Sequence, residues 1–508
     1  MRRIKLNYWF FLFVLLPFTG VADVKLPTLI TDGMVLQQQS SVSIWGWASP
    51  GEKVTVSGSW DRQQKVVMTN SKGEWLLKLK TPIAGGPFTL HIAGKNKIEV
   101  NKVFIGEVWL CSGQSNMEFP LQKITAWKTG VLNYESEIAK ANYPKISMFT
   151  VNKTVAQEPQ KDVQGKWEVC SPATAGNFSA VAYYFGVELT KALNCPIGLI
   201  HSSWGGTPAE SWTKKEVLET DPILFSILAN YEKDVQNYKA SSDAYKVALD
   251  KWKENSAVTS SSAGAAPKKP AEPTQNSKSP AKLYNGMIAP LIPYTIKGVI
   301  WYQGESNAGR AAQYKTLFPS LINSWRKDWN SDFPFYFVQI AMHYLQLPEI
   351  REAQLLTMQN TPKTGMAVIT DVGDSLDIHP RNKEIPGKRL ALWALAKTYH
   401  KTDLPYSGPI YESMRIDGDH VILKFKNAEG LTAKGESLTE FEIAAADQKF
   451  IAAKASIKGS EVWVSNANLK NPKAVRFAWK NFCRPNLYNA AGLPASPFRT
   501  DNWMLKTN

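Results

Sequence analysis

The sequence predicts an α/β fold, a doubly wound parallel sheet with an N-terminal and a C-terminal β-domain on its flanks. Between about residues 106 and 400, apolar strand-like runs alternate with helical patterns, which is typical of a parallel sheet covered by helices on both faces. On either side of this region the chain has short alternating strands broken by turn residues, which is typical of β-sandwiches. A length of 508 residues and a 44% apolar composition also favour several globular domains.

Residues 1–22 predict a signal peptide. Three basic residues precede an apolar run at 8–18, and a small-residue cleavage pattern follows at 20–22. The apolar run is too short for a comfortable membrane span, and no later segment approaches about 20 apolar residues. We therefore expect an exported protein, periplasmic or extracellular, that starts near Asp23 and has no stable membrane span. The alternative is a retained N-terminal anchor.

The chain is basic, with a net charge of +15 that falls to +12 without the three basic residues of the leader. This charge favours acidic glycans, anionic surfaces or nucleic acid as partners. The basic residues are scattered and form no nucleic-acid motif, so we expect no nucleic-acid partner. Four cysteines in an exported protein allow three disulfide pairings and fit no zinc motif. The sequence does not decide among these pairings, and our guess is Cys170 with Cys195.

The two β-domains are predicted at 23–105 and 401–508 from short strands. The expected strands lie at 41–47, 53–57 and 75–79 in the first domain and at 421–425, 441–445 and 461–464 in the second. The sequence does not show whether these domains contact the substrate or brace the fold.

The central domain is predicted at 106–400. Its expected strands lie at 108–111, 197–200, 299–302, 335–340 and 366–370, and its helices include 180–193, 313–329 and 385–399. An insertion at 213–282 begins as a charged helix around 231–253. It continues into a tail at 260–281, rich in Ser, Ala, Pro and Lys, which we expect to be disordered or a flexible surface excursion.

A serine at a strand-to-helix turn is the first sign of chemistry. The residues GQSNM at 113–117 follow the apolar run at 108–111. Such a turn exposes the Ser115 hydroxyl beyond the carboxyl end of a strand and leaves N–H groups free at a helix start to receive an oxyanion. Ser115 is therefore a candidate nucleophile, the alternative being a helix-capping serine in a loop.

Two more polar loops follow expected strands of the same sheet. After 197–200, the paired Gly205 and Gly206 allow a backbone N–H to approach a ligand closely, although a plain glycine turn has the same pattern. After 299–302, the loop QGESN at 303–307 carries amide donors that could reach an oxyanion, although chance polar loops also look like this. Both loops are candidates for an oxyanion hole.

A late loop supplies a candidate base. His379, one of six histidines, lies among several carboxylates after the expected strand at 366–370. A carboxylate beside it would orient the imidazole for taking the proton of Ser115, while the alternative is a structural surface histidine. The letters GDSL at 373–376 spell a known nucleophile motif. We do not interpret Ser375 as the nucleophile, because it lies only four residues before His379 and outside the loop that follows the first strand.

Four ordered motifs carry a family resemblance. GQSNM, WGGTPAESW, WYQGESN and DIHPRNK resemble the sialate O-acetylesterase group of the SGNH-type hydrolases, and acetylxylan esterases share much of this pattern. The resemblance covers about 106–400 and includes the flanking β-domains. It implies Ser115 as nucleophile and His379 as general base and acid. It also implies an oxyanion hole from the Ser115 N–H, a Gly205 or Gly206 N–H and an amide side chain, with no metal and no cofactor.

The chain departs from the wider superfamily at two places. Position 376 is Leu where an Asp three residues before His379 is common, so the triad acid is Asp377 as first choice, with Glu305 and Asp374 as alternatives. Asp377 is favoured because residues two apart face the same side of an extended segment. The Gly-x-Asn oxyanion pattern is also missing, so either Gln303 or Asn307 supplies the amide.

The expected function is a serine esterase that removes O-acetyl groups from sugars. A basic pocket with Arg310 or Arg381 would favour O-acetylated sialic acid as the substrate. The alternative enzymatic function is the deacetylation of xylan or another polysaccharide. A glycan-binding protein without catalysis is the more distant alternative. The expected substrate-binding residues are Gln114, Asn116, Trp204, Trp301, Glu305 and Arg381. Trp204, Trp212 and Trp301 could stack on a pyranose ring, although core packing is the commoner fate of Trp.

Overall fold

The computed structural model describes residues 23–61, 63–258 and 265–505. The predicted signal peptide lies outside the described residues. Within them the chain is an α/β protein whose central sheet is mostly parallel, which confirms the predicted α/β class. No helix of the described part is long and apolar enough to cross a membrane.

The N-terminal region is built from β-strands, and the last of them continues into the central sheet. The strands are β1 (Val35–Gln37), β2 (Ser41–Trp47), β3 (Lys53–Gly58), β4 (Gln64–Met68), β5 (Glu74–Lys80), β6 (Gly85–Ala93) and β7 (Lys97–Gly113). Strands β4, β3, β6 and β7 pair antiparallel, while β2 pairs with β5. The domain boundary drawn after residue 105 therefore falls inside one strand, because β7 pairs with β6 at its start and with central strands at its end.

The central sheet places β7 in its middle. It also contains β8 (Tyr143–Thr150), β9 (Trp167–Cys170), β10 (Ile197–Ser203), β11 (Gly298–Tyr302), β12 (Phe335–Val338) and β13 (Thr364–Ala367). The order is β13-β12-β11-β7-β10-β8-β9, and every neighbouring pair is parallel except β8 with β9. The strand order reverses at β7, and ligands bind at such switch points, beyond the carboxyl ends of the strands.

Helices cover both faces of this sheet. They are α1 (Ser115–Glu118), α2 (Tyr134–Ala139), α3 (Ala180–Leu193), α4 (Lys215–Thr220), α5 (Pro222–Val258), α6 (Ala311–Asp328), α7 (Pro348–Asn360) and α8 (Glu384–Trp393). Alternate residues of β7 point to opposite faces: Val108 joins a core with α6 and α7, and Trp109 joins a second core with α3 and α8. Short 3₁₀-helices lie at Ala175–Asn177, Ala209–Trp212, Pro273–Gln275, Ala289–Leu291 and Glu305–Arg310, and π-helices at Tyr284–Ile288 and Ala394–Thr398.

The described part of the insertion is more ordered than its composition indicates, whereas residues 259–264, where the expected flexible tail starts, lie outside the described residues. The expected charged helix lies inside the 37-residue helix α5. The end of the expected flexible tail packs against the core, since Ala281 is buried and its N–H donates to the Glu210 carbonyl at 2.9 Å. Composition alone missed this because a single apolar anchor can fix the end of a polar segment.

The C-terminal region returns to β-structure. It contains β14 (Ile410–Asp417), β15 (His420–Lys426), β16 (Thr432–Ala433), β17 (Phe441–Ala444), β18 (Ile451–Ala452), β19 (Lys454–Lys458), β20 (Glu461–Ser465), β21 (Ala474–Phe477), β22 (Leu487–Tyr488) and β23 (Phe498–Arg499). Two four-stranded antiparallel sheets form, in the orders β14-β15-β20-β19 and β18-β17-β21-β23. Tyr411 of the first stacks on Phe498 of the second at 4.7 Å between ring centroids, which joins the sheets.

The cysteine pairing guessed from the sequence is wrong. All four cysteines are free and buried. The Cys170 sulfur faces the Ala141 carbonyl at 3.9 Å, and burial raises its pKa to about 12. The spacing of cysteines along the chain does not show whether the Cys170 sulfur reaches another sulfur, because that depends on how edge strand β9 packs.

Candidate active site

Ser115 lies at the tip of a tight turn beyond the carboxyl end of β7. The turn requires glycine at position 113, where φ is +139° and a Cβ would lie 2.2 Å from the Tyr302 carbonyl oxygen. Helix α1 begins at Ser115 itself, so the N–H of this first residue has no carbonyl of the helix as its acceptor. The Ser115 N–H has no acceptor within the described residues, and it is available to an oxyanion.

The structure brings His379 to Ser115 across 264 residues of chain. The imidazole Nε2 lies 3.0 Å from the Ser115 hydroxyl oxygen. The His379 ring lies beside the aromatic rings of Trp127 and Phe119, with centroids at 5.1 and 6.5 Å. Burial and, secondarily, the positive charge of Lys383 lower the pKa of His379 to about 4. The imidazole is therefore neutral at pH 7 and can accept the serine proton.

Of the three carboxylates considered from the sequence, Asp377 is the one beside His379. Its Oδ1 lies 3.7 Å from the His379 Nδ1 and accepts the His379 backbone N–H at 2.8 Å. Asp374 instead accepts the backbone N–H groups of Leu376 and Asp377. Glu305 is directed to Asn116, which donates to its Oε1 at 2.6 Å. The geometry therefore favours Asp377 as the group that orients the imidazole.

The lowered pKa of His379 gives an expected pH profile. Because a base must be unprotonated, kcat/KM should stay constant from neutral pH to about 5 and fall as the pH drops through about 4. An Asp377→Asn variant should move this inflection to still lower pH, since the Asp377 charge acts to raise the His379 pKa. Steady-state rates between pH 3.5 and 8, with circular dichroism at each pH, measure this. An inflection near 6.5 would contradict the buried, neutral imidazole.

Gly205 and Gly206 both line the cleft that holds Ser115, but only one of their two N–H groups lacks an acceptor among the described residues. The Gly205 N–H donates to the Glu118 carboxylate at 2.6 Å, so it is engaged within the protein. The Gly206 N–H has no acceptor in the part of the chain that the structure describes. The expected choice between Gly205 and Gly206 therefore falls on Gly206, with the Ser115 N–H as its companion.

The amide donors predicted for the oxyanion hole are directed elsewhere. Gln303 is fully buried, and its Nε2 donates to the Asn307 Oδ1 at 2.7 Å. The Asn307 Nδ2 donates to Glu210 at 2.9 Å. Both predictions were wrong because the QGESN loop turns these amides inward, where they tie α6 and the Gly206 loop to the sheet.

The residues around Ser115 enclose a cleft of about 520 Å³. Gln114 lines it, and its Oε1 accepts the Ser306 backbone N–H at 3.2 Å. The Gln114 Nε2 has no acceptor among the described residues, so this amide can donate to a substrate. Glu305 and Trp204 also line the cleft, whereas Asn116 lies beneath it and bonds to protein groups.

Four other side chains that were expected to contact the substrate are directed elsewhere. Trp301 and Trp212 are fully buried and pack edge-to-face at 6.3 Å, as core residues do. The Arg381 guanidinium donates to the carbonyls of Gly130 and Val131, and Arg310 pairs with Glu210. None of these side chains lines the cleft.

The sequence interpretation missed several groups at the site. Glu118, Trp127, Lys153, Ser306 and Ile378 line the cleft, and Lys383 lies buried behind it. Glu118 could have been found, because it follows Ser115 by three residues and so shares its helix face. No sequence pattern marks Trp127 and Lys153 as site residues, since they come from loops that only the fold brings near Ser115. The described residues contain no group of three or more His, Cys, Asp or Glu that could hold a metal ion.

Comparisons with known proteins identify the family of this chain. The family model described as "Carbohydrate esterase, sialic acid-specific acetylesterase" matches residues 272–391. The sialate O-acetylesterases of Rattus norvegicus and Mus musculus are each 30% identical, over 93% of this chain and 94% of theirs. The crystal structure of a carbohydrate acetylesterase from Xanthomonas citri is 34% identical, with a TM-score of 0.79 over 95% of this chain and 100% of that one. The resemblance found in the sequence is thereby confirmed, and the chain belongs to the sialate O-acetylesterase family of carboxylic ester hydrolases.

Proposed function

We propose that this protein removes O-acetyl groups from sialic acids by serine catalysis in an SGNH-type active site. The observation that carries the proposal is the 3.0 Å contact between the Ser115 hydroxyl and a neutral His379 imidazole, in a cleft at the switch point of the sheet. The sialate O-acetylesterases of rat and mouse, similar over nearly their whole length, support the choice of substrate.

The chemistry follows from the positions of four groups. The Ser115 oxygen attacks the acetyl carbonyl carbon while its proton moves to the His379 Nε2. The oxyanion accepts hydrogen bonds from the N–H groups of Ser115 and Gly206. The tetrahedral intermediate expels the sugar hydroxyl, which takes the proton from His379. Water then attacks the acetyl-enzyme with the same base, and acetate leaves. Asp377 stabilises the imidazolium that forms in each step.

The proposal includes export from the cytoplasm. The basic start of the chain followed by the apolar run at 8–18 supports a cleaved signal peptide and a periplasmic or extracellular location. Amino-terminal sequencing of the secreted protein tests it, and a mature chain that starts near Asp23 is the expected result. A mature chain that retains Met1 would support the membrane-anchor alternative.

The experiment that tests the function compares acetate release from O-acetylated sialic acid and from acetylated xylan. The protein lacking residues 1–22 is assayed beside its Ser115→Ala variant, which gives the background. Release from sialic acid above that background is the expected result. Release mainly from xylan would move the substrate to a polysaccharide, and no release above that background from either substrate would overturn the proposal in favour of a glycan-binding protein.

A further inference from the structure

Two lysines share one buried carboxylate at the wall of the cleft. The Oε1 atom of Glu118 accepts from both Lys128 and Lys153, and the Lys153 Nζ lies 2.8 Å away. The other oxygen of Glu118 accepts the Gly205 N–H at 2.6 Å. Burial acts to raise the pKa of Glu118, but the two lysines outweigh it and the pKa lies below its usual value. The carboxylate is therefore ionised at neutral pH.

This cluster lies next to the reacting serine. A methyl group added to Gly205 would lie 3.2 Å from a Glu118 carboxylate oxygen and 3.3 Å from the Ser115 Cβ, so the carboxylate and the serine flank the same point. Lys153 and Trp204 both line the cleft, and the Lys153 Nζ lies 5.2 Å from the Trp204 ring centroid. The Lys153 side chain is 40% exposed, whereas that of Lys128 is 19% exposed.

The charges of the cluster do not balance. Two ammonium groups face one carboxylate, which leaves one positive charge at this wall. The other carboxylates of the site are held elsewhere: Glu305 bonds to Asn116 and faces Lys383, and Asp377 lies against His379. An ammonium has three N–H donors, and Lys153 uses one of them on Glu118. Two donors remain for a ligand in the cleft.

We propose that Lys153, with Lys128 behind it, binds the carboxylate group of an acidic sugar substrate. The inference rests on the proposed function and adds the residue that selects an anionic sugar over a neutral one. Trp204, whose ring face already attracts the Lys153 cation, packs beside the bound sugar ring. This subsite takes the role that the sequence suggested for Arg310 or Arg381, whose guanidinium groups are engaged elsewhere.

The test compares two substrates that differ in one charge. O-acetylated sialic acid and its carboxamide, in which the carboxylate is replaced by a neutral amide, are assayed for acetate release. The variants are Lys153→Gln and, as a matched control that removes the same charge away from the cleft, Lys166→Gln. Lys166 pairs with Glu168 and its side chain is 76% exposed. A Lys153→Arg variant, which keeps the charge, tests for rescue.

The wild-type protein and Lys166→Gln should prefer the acid over the amide by about 10-fold in kcat/KM, as expected for a charge-assisted hydrogen bond. Lys153→Gln should lose this preference through a higher KM for the acid with kcat nearly unchanged, and Lys153→Arg should recover most of it. Equal hydrolysis of acid and amide by the wild type would overturn the subsite and leave the proposed function intact. An equal loss on both substrates in Lys153→Gln would likewise overturn it, since the lysine would then only support the Gly205 loop. Serine-independent acetate release from both substrates would overturn the proposed function itself.

Discussion

Replacing Ser115 by alanine is expected to lower kcat for acetate release by about 10⁴- to 10⁶-fold, because the reaction loses the atom that attacks the acetyl carbon. The loss should appear in kcat rather than in KM, since the cleft walls stay in place. Adding His379→Ala to this variant should cost little more, because the two side chains act as one unit across their 3.0 Å contact. Single-turnover rates and steady-state rates on the same acetylated sugar measure both effects.

The matched control is Ser375→Ala, which removes the serine of the GDSL letters. We expect it to keep near wild-type activity, because the His379 Nε2 faces Ser115 and not Ser375. A large loss in Ser375→Ala together with an active Ser115→Ala would show that the nucleophile had been assigned to the wrong loop. Thermal unfolding of each variant separates a loss of chemistry from a loss of folded protein.

Replacing Asn116 by alanine is expected to lower kcat by about 100-fold, because this side chain joins the nucleophile turn to the histidine loop. The Asn116 Nδ2 donates to Glu305 at 2.6 Å and to the Ile378 carbonyl at 3.1 Å, directly before His379. Its Oδ1 accepts from the buried Lys383. The variant leaves the Lys383 and Glu305 groups without this partner, so we also expect the free energy of unfolding to fall by about 2–3 kcal/mol.

Urea denaturation and steady-state kinetics test this prediction, with Asn177→Ala as the control. Asn177 is also an asparagine bonded to a side chain, the amide of Gln122, but it is exposed. The control should change both the unfolding free energy and kcat only slightly. Unchanged activity in Asn116→Ala would mean that the His379 loop is held by other contacts.

The network behind the site explains why replacing Asn116 is expected to affect both kcat and the free energy of unfolding. Burial lowers the pKa of Lys383 to about 7, although Glu305 and Asp377 act to raise it. Burial likewise raises the pKa of Glu305. The Lys383 Nζ lies 4.7 and 5.5 Å from the ring centroids of Phe119 and Tyr302, so aromatic faces supply part of its environment. Asn116 is the neutral group that bonds to both charged residues.

Much of the architecture was predictable because strand and helix signals are local. The expected strand at 41–47 and the expected helix at 180–193 coincide with β2 and α3. In α3 the boundaries are set by nearby groups: the Ser179 hydroxyl accepts the Ala182 N–H at the start, and Asn194 adopts the left-handed conformation at the end. Helix α7 was missed, since its weakly patterned, almost wholly buried residues give little amphipathic signal.

The orientation of buried polar groups was not predictable from pattern. Trp301 lies on β11, a central strand covered on both faces, so alternation does not indicate whether its side chain faces ligand or core. Gln303 and Asn307 follow the same strand, and their amides turn inward because buried acceptors on Asn307 and Glu210 lie there. Such choices depend on partners that are distant in the sequence.

The sequence by itself determined the α/β class, the alternation of strands and helices in the central region, the serine turn and the family. These features depend on apolar periodicity, turn residues and short motifs, which act over a few residues. Only the tertiary structure decided that β7 pairs with strands of two sheets and that the His379 imidazole lies at the Ser115 hydroxyl. The tertiary structure also decided that Gly206, and not Gly205, has a free N–H, and that Lys153 faces the cleft. Contacts between loops follow from the order in which parallel strands pair, and long-range packing sets that order.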